Sequence, residues 1–279
     1  MGIAMFSAVN ALLQLFRIGN AVMGIVGLLM GVLIAAGTGI LEHWEPVVFA
    51  AVAVFSFIAG GNSLNDYTDR EVDRLAHPER PLPSGRMTPR QVLLISIASF
   101  IVSFLASLFL NLESMIIVVL AILLMLSYEA KLKKDALTGN LEIALLTGML
   151  FLLGGAVVGM MERTYIIALL AFLAILGREI VKDIEDMEGD FDRLTLPKRI
   201  GARNAGMIAS LSFLVAVALS PIPYFDGTFG IWYLVAVAFA DAIFIYCSIV
   251  HFENPTRGQK LAKYGMLLAL VAFLIGGIL

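Results

Sequence analysis

Long apolar runs alternate with short polar stretches along almost the whole chain. Nine of these runs approach the roughly 20 residues that a helix needs to cross the hydrocarbon core of a bilayer. They fall at about 18–40, 45–64, 91–110, 114–130, 138–161, 164–181, 205–222, 229–251 and 260–279. The runs are continuous, whereas a membrane β-barrel would show apolar and polar residues in alternation. The pattern therefore predicts an all-α integral membrane bundle of nine transmembrane helices in a single domain, 1–279.

Composition agrees with a membrane location. Charged residues make up 15% of the chain and the mean hydropathy is +0.93, whereas a soluble domain carries about 25% charged residues. Residues 1–16 contain Leu12, Leu13, Leu15 and Phe16 and precede the first long run, so we expect a short helix lying in the membrane interface.

The basic residues are strongly biased toward one side of the predicted bundle. With the N-terminus in the cytoplasm, the predicted crossings put 18 of the 19 Lys and Arg residues on the cytoplasmic side, and Arg163 alone falls outside. This bias follows the positive-inside rule. We therefore expect a multi-pass protein of the cell membrane, with the N-terminus and the loops near 65–90, 131–137, 178–204 and 252–263 in the cytoplasm.

One spacing of acidic residues occurs twice in these cytoplasmic stretches. The first set is Asp66, Asp69 and Asp73, and the second, 117 residues later, is Asp183, Asp186 and Asp190. The spacing i, i+3, i+7 brings side chains to one face of a helix. Each set ends an apolar run and is followed by a Leu-Pro with basic residues, in "RPLPSGR" and "LPKRIGAR". The chain therefore reads as two related halves, and such repeats often form a site at their interface.

Clusters of carboxylates beside basic residues indicate a site for a metal and a phosphorylated ligand. Mg²⁺ usually takes one or two carboxylates together with phosphate oxygens and water, and guanidinium groups pair well with phosphate. Because the clusters lie at the end of an apolar bundle, a diphosphate with a lipid tail fits the pattern. An allylic prenyl diphosphate ionises when its leaving group is neutralised, so metal and cation stabilisation would supply most of the catalysis.

The two clusters match the motifs of a known family. "NDYTDREVD" resembles the N-D-x-x-D-x-x-x-D motif of the UbiA-type intramembrane prenyltransferase superfamily, and "KDIEDMEGD" resembles its K-D-x-x-D-x-x-G-D motif. The "RPLPSG" continuation agrees, and the resemblance covers essentially the whole chain. It implies a bundle whose cytoplasmic loops cap a central cavity, with Mg²⁺ as the cofactor.

The resemblance also implies roles for individual residues. The metal ligands would be Asn65, Asp66, Asp69, Asp73, Asp183, Asp186 and Asp190. Catalysis would rest on Asp69, Asp73, Asp186, Asp190 and Lys131. Substrate binding would involve Arg17, Asn20, Asn65 and Tyr128, with Lys133 as a rival to Lys131, and with Arg178 and Lys182 as diphosphate partners.

The acceptor is the harder assignment. "RLAHPERPLPSGRM" and "REIVKDIEDMEGD…TLP" together most resemble the archaeal ether-lipid synthases of this superfamily. The resemblance implies transfer of a geranylgeranyl group from geranylgeranyl diphosphate to the hydroxyl of geranylgeranylglyceryl phosphate. A phosphorylated acceptor needs a second anion site, for which Arg80, Arg86, Lys198 and Arg199 are candidates.

Two other functions remain open on the sequence. A UbiA-type enzyme with an aromatic acceptor (a hydroxybenzoate, a naphthoate or homogentisate) would carry the same clusters. A cation-coupled transporter would use the acids for ions, but transporter sites usually lie near the bilayer midplane. The expected partners are a prenyl diphosphate, a lipid-like phosphorylated acceptor and membrane lipids, with no nucleic acid and no obligate protein partner.

A few polar and small residues within the apolar runs carry separate predictions. Asp241 is an isolated acid for which we expect a hydrogen bond between helices, although an intramembrane carboxylate is also a functional candidate. Glu142 is a candidate for the cavity wall. The G-x-x-x-G pairs Gly27–Gly31 and Gly155–Gly159 predict close helix contacts.

Overall fold

The computed structural model describes residues 2–130, 138–187 and 194–278, with side chains from residue 9 onward. Three predicted site residues lie outside these ranges: Lys131, Lys133 and Asp190.

The described residues form helices joined by short connections, with no β-strand among them. The helices are α1 (Gly2–Phe16), α2 (Ile18–Ala36), α3 (Trp44–Thr68), α4 (Arg70–Ala76), α5 (Pro89–Ser107), α6 (Leu112–Ala130), α7 (Thr138–Val157), α8 (Tyr165–Glu185), α9 (Leu196–Ile200), α10 (Ala202–Leu219), α11 (Ile222–Phe225), α12 (Ile231–Val250) and α13 (Pro255–Ile278). Two 3₁₀ segments, Gly37–His43 and Met161–Thr164, complete the described elements. The all-α prediction is confirmed.

Eight stretches of the described chain are long and apolar enough to cross a membrane, so the protein is a multi-pass membrane protein. The first stretch, Ile18–Thr68, has 51 residues and contains both α2 and α3. A single helix of that length would extend about 75 Å, far more than the bilayer core. The 3₁₀ segment divides it, and α2 packs against α3. The count of nine crossings stays a prediction.

Glycines let α2 and α7 approach closely. A Cβ added to Gly154 would lie 2.5 Å from the backbone oxygen of Leu28, and one added to Gly31 would lie 2.6 Å from that of Phe151. The predicted contact face at Gly27–Gly31 is therefore present. The prediction for Gly155–Gly159 is confirmed only at Gly155, where an added Cβ would lie 2.5 Å from Thr164 Oγ1 in the following 3₁₀ segment. It was wrong for Gly159, because α7 ends at Val157 and Gly159 has a φ of +71° in the turn after it.

The connection from α4 to α5 ends in a local sequence signal. Thr88 precedes Pro89, and its side chain accepts a hydrogen bond from the backbone N–H of Gln91, while the Gln91 side chain accepts one from the Thr88 N–H. This capping box satisfies two backbone donors at the start of α5. It fixes the end of the basic loop that follows the first acidic motif.

A central cavity of about 590 Å³ lies within the bundle. It is bounded by α2, α3, α6, α7, α8, α10, α12 and α13, and its volume falls in the usual range for a small-molecule site. Most lining residues are apolar. The polar exceptions are Asn20, Asn62, Thr147, Arg178, Ser220 and Asp241. Both helices that end in the acidic motifs, α3 and α8, contribute to the wall.

Candidate active site

The middle aspartate of each motif terminates its helix. Asp69 is the C-cap of α3 and Asp186 is the C-cap of α8, with φ and ψ of −88° and 5° in the first and −84° and −1° in the second. The Asp69 N–H donates to the Asn65 carbonyl and the Asp186 N–H to the Lys182 carbonyl, each at 2.9 Å. The two motifs thus have the same local structure, as their common spacing predicted.

This geometry corrects one expectation about the first motif. The three aspartates do not share an uninterrupted helix, because α3 ends at Thr68 and Asp73 lies in the separate helix α4. The interruption at Asp69 leaves Asp66 and Asp73 in an ion cluster, while Asp69 bonds to Asn65.

The ion cluster joins two aspartates to two arginines. Arg17 Nη2 lies 2.5 Å from Asp66 Oδ1, and Arg80 Nη1 lies 2.6 Å from Asp73 Oδ2 and 3.7 Å from Asp66 Oδ1. Both aspartates are buried. A buried carboxylate is tolerated when cations and hydrogen bonds offset its desolvation. Arg17 and Arg80, predicted from sequence as substrate ligands, are therefore brought to the first motif.

Arg17 has an unusual backbone for this role. It connects α1 to α2 with a φ of 48°, in the left-handed region, and makes no side-chain cap for α2. This conformation is unfavourable for a residue other than glycine. The guanidinium also approaches Asn65 Oδ1 at 3.4 Å. The contacts with Asp66 and Asn65 hold the α1–α2 corner against α3.

Asn65 connects the motif to a residue that sequence reasoning missed. Its Nδ2 donates to Asp69 Oδ2 at 3.3 Å and to Glu129 Oε1 at 3.1 Å, and Thr68 Oγ1 donates to Glu129 Oε2 at 2.6 Å. Glu129 lies in "SYEAKLKK", directly after the predicted ligand Tyr128. Glu129 is the one acidic residue in that basic stretch, which could have marked it as a partner of the first motif.

The second motif is held by α7. Asn140 Nδ2 donates to Asp183 Oδ2 at 2.7 Å, whereas Asp186 is exposed at the end of α8. The start of α7 also meets the end of α6, since a Cβ on Gly139 would lie 3.4 Å from Tyr128 Cε2. Residues from both halves therefore converge where α6, α7 and α8 begin or end.

The four cations predicted for the acceptor lie in two separate parts of the chain, the connection from α4 to α5 and the short helix α9. Arg80 belongs to the ion cluster of the first motif. Arg86 is exposed and donates to Gln14 Oε1 at 2.7 Å and to Ser84 Oγ at 2.9 Å. Lys198 and Arg199 lie in the short helix α9. Asn20 and Arg178 instead line the cavity, and Lys182 is half-buried on α8.

Two further acids lie close to the cavity. Glu142 is 5% exposed, and neither of its carboxylate oxygens has a hydrogen-bond partner in the part of the chain that the structure describes. Leu146, one turn further along α7, lines the cavity. Asp241 also lines it, and Asp241 Oδ2 accepts a hydrogen bond from Ser220 Oγ at 2.7 Å. The predicted hydrogen bond between helices is confirmed.

The donor chemistry of the motifs suits Mg²⁺ without a preformed cage. Within 2–130, 138–187 and 194–278, no three His, Cys, Asp or Glu side chains converge as a metal-binding group. Mg²⁺ does not require such a group, since it binds through one or two carboxylates and completes its shell with phosphate oxygens and water. Asn65 with Asp69, and Asp183 with Asp186, offer oxygen ligands of this kind.

The protein is a helical membrane bundle in which two helices that end in acidic motifs line one apolar cavity. This arrangement is typical of intramembrane enzymes that act on phosphorylated lipids. The chain belongs to the UbiA prenyltransferase family, whose model matches residues 24–273.

Within this family, the chain is similar over its full length to synthases of one kind. The chain is 36% identical to a digeranylgeranylglyceryl phosphate synthase of Methanosphaera stadtmanae, over 96% of this chain and 100% of that protein. It is 39% identical to the synthase of the same name from Methanosarcina mazei, over 98% and 100% of the two chains.

Solved structures of related proteins have the same fold. A structure concerning digeranylgeranylglyceryl phosphate synthase in membranes superposes with a TM-score of 0.88 and 35% identity, over 97% of this chain and 99% of that chain. A UbiA homologue from Archaeoglobus fulgidus bound to DMAPP and Mg²⁺ superposes with a TM-score of 0.69 and 16% identity, over 94% and 98% of the two chains, which shows the common fold.

Proposed function

We propose that the protein transfers a geranylgeranyl group from geranylgeranyl diphosphate to the hydroxyl of geranylgeranylglyceryl phosphate, in a reaction that depends on Mg²⁺. The products are the second ether bond of archaeal membrane lipids and free diphosphate. The observation that carries the proposal is the pair of equivalent aspartate C-caps, Asp69 and Asp186, on two helices that line one apolar cavity. The full-length similarity to synthases of this name supports the choice of substrates.

The oxygen ligands divide into two groups in this proposal. Asn65, Asp69, Asp183, Asp186 and Asp190 would hold the metal. Mg²⁺ bound there would supply positive charge to offset the charge that develops on the departing diphosphate.

Asp66 and Asp73 have a different role. Their contacts with Arg17 and Arg80 indicate that they position these two guanidinium groups for the diphosphate oxygens. We expect Tyr128, Lys182 and one of Lys131 and Lys133 to complete the binding of the diphosphate.

In this proposal prenyl transfer takes place in the apolar cavity, from which water is excluded. The bond between C1 of the prenyl group and the diphosphate oxygen breaks with its electron pair on the leaving group. The acceptor oxygen then bonds to C1 and passes its proton to the departing diphosphate. The apolar walls contributed by α2, α7, α8, α12 and α13 keep water away from the allylic cation, so that the acceptor captures it instead of water.

The site faces the cytoplasm in this proposal. The loops that carry both motifs belong to the side that holds 18 of the 19 basic residues when the N-terminus is cytoplasmic. Ser84 and Asp226 lie in loops on opposite sides of the predicted bundle, so labelling of the variants Ser84→Cys and Asp226→Cys tests the orientation. Ser84→Cys should react only with a reagent that reaches the cytoplasm.

An acceptor screen tests the function. Purified protein receives radiolabelled geranylgeranyl diphosphate, Mg²⁺ and either geranylgeranylglyceryl phosphate or an aromatic acid. We expect the ether product with the glyceryl acceptor and its loss by at least about a hundredfold in Asp69→Asn and Asp186→Asn, the scale of removing one electrostatic catalytic contact. Asp226 is a matched control, because it too is a helix C-cap, of α11. Turnover with an aromatic acid alone would contradict the choice of acceptor.

A further inference from the structure

Arg178 is the one Lys or Arg residue among the described residues that line the central cavity. Its Nη1 pairs with the buried carboxylate of Glu179, and its side chain is 19% exposed. Its Nε is buried and has no hydrogen-bond partner in the described part of the chain. A buried donor without an acceptor is costly, and a guanidinium presents five N–H groups in a fork that matches phosphate oxygens. The side chain therefore retains donors for an anion in the cavity.

The position of Arg178 separates it from the metal motif. Along α8 it precedes Asp183 by five residues and Asp186 by eight, which corresponds to about 8 Å and 12 Å of helix. It lies on the cavity side of the motif, where Asn62 and Asn20 also line the wall. The guanidinium is thus nearer the apolar interior than the aspartates that hold the diphosphate.

Arg178 has no basic counterpart in the other half of the internal repeat. The residue 117 positions before Arg178 is Gly61, which lines the same cavity without a side chain and faces Met125. A cation required equally by both metal motifs would be expected in both halves.

The reaction brings two anions to the site, and only one of them suits Arg178. The diphosphate lies at the level of the motifs, where Arg17 and Arg80 already supply guanidinium groups. The acceptor must place its hydroxyl against C1, on the cavity side of the diphosphate, and its phosphate is then close by. Arg86, an alternative suggested by sequence, is exposed and bonded to Gln14 and Ser84.

We propose that Arg178 binds the phosphate monoester of the acceptor, in the cavity that Asn62 and Asn20 also line. The subsite makes the enzyme select a phosphorylated glyceryl acceptor over its free alcohol. This inference rests on the proposed function, because it assigns one of the two substrates of that reaction to a residue.

The test compares two acceptors in the wild type and three variants. Initial rates are measured at saturating geranylgeranyl diphosphate with geranylgeranylglyceryl phosphate and with the same ether lacking its phosphate, for the wild type and Arg178→Gln. Arg257→Gln is the control, since Arg257 lies at the start of α13 with its guanidinium over the Tyr246 ring. Arg178→Lys keeps the charge without the planar fork.

We expect Arg178→Gln to reduce the preference in kcat/KM for the phosphorylated acceptor by about tenfold or more, the scale of one charge-assisted hydrogen bond. The KM for geranylgeranyl diphosphate should change less than about twofold, Arg178→Lys should recover part of the preference, and Arg257→Gln should retain all of it. An equal loss with both acceptors would overturn the proposal, as would a raised KM for the diphosphate. No turnover of either glyceryl acceptor by the wild type would instead reject the proposed function.

Discussion

Asp66 and Asp69 are three residues apart in one motif, yet the structure predicts opposite consequences for their substitution. Asp66 is 2% exposed and contacts Arg17 at 2.5 Å, with Arg80 at 3.7 Å. Asp66→Asn would leave the Arg17 guanidinium facing a neutral amide, while Arg80 would keep its contact with Asp73. Asp69 instead caps α3 through its backbone N–H, which Asp69→Asn retains.

The expected loss of stability follows from the burial of the two partners. Removing one member of a fully buried ion pair costs about 3–5 kcal/mol, whereas an exposed pair contributes about 0–1 kcal/mol. Arg17 is 31% exposed, so solvent screens part of the interaction. We therefore expect Asp66→Asn to lower the free energy of unfolding by about 2 kcal/mol, the range for a hydrogen bond to a charged group.

A double-mutant cycle measures the interaction directly. Unfolding is followed in detergent micelles for Asp66→Asn, Arg17→Gln and the double variant, and we expect a coupling free energy of about 1–2 kcal/mol. Asp69→Asn should destabilise the protein less than Asp66→Asn does, while prenyl transfer is lost. A coupling free energy near zero, or an equally destabilised Asp69→Asn, would refute the division of the motif into positioning and metal-binding aspartates.

Three further substitutions, with Gly39→Ala as a control, test the packing around the cavity by their effect on unfolding in the same detergent. Gly154→Ala places a Cβ against the backbone of Leu28 and should destabilise by about 1–3 kcal/mol, whereas Gly39→Ala, with nothing within 4 Å, should be nearly neutral. Glu142→Met removes two buried oxygens that lack partners among the described residues and should stabilise by about 1–3 kcal/mol; a destabilised variant would show that this carboxylate is paired in solution. Ser220→Ala removes the hydrogen bond to Asp241 and should cost about 1 kcal/mol; an unchanged midpoint would contradict that bond.

The fold was predictable because the membrane constrains it so strongly. Apolar runs of helical length locate the spanning segments to within a few residues; the run at about 114–130 became α6, Leu112–Ala130. The duplicated acid spacing also predicted that the two motifs are equivalent, since Asp69 and Asp186 share one backbone geometry.

The partners of each charge were not predictable from spacing. The spacing predicted that Asp66 and Asp73 share a helix face, but not that Arg17 reaches Asp66 from the α1–α2 connection or that Arg80 reaches both from the loop after α4. Contacts of this kind depend on how distant helices pack. Glu129 was missed for the same reason, because it meets Asn65 only when α6 lies beside α3. The sequence assigned Arg178 to the diphosphate because it lies two turns before the second motif on α8. The structure shows that Arg178 lines the cavity, whereas Asp183 and Asp186 are not among its lining residues.

The central claim is tested most directly by the stoichiometry of one reaction. Purified protein in lipid nanodiscs is given geranylgeranyl diphosphate, geranylgeranylglyceryl phosphate and Mg²⁺, and the diether product and free diphosphate are quantified together. The account predicts that they form in equal amounts, that chelation of Mg²⁺ abolishes both, and that Asp69→Asn and Asp186→Asn each do the same. Ether formation that persists without divalent metal, or in both variants, would contradict it.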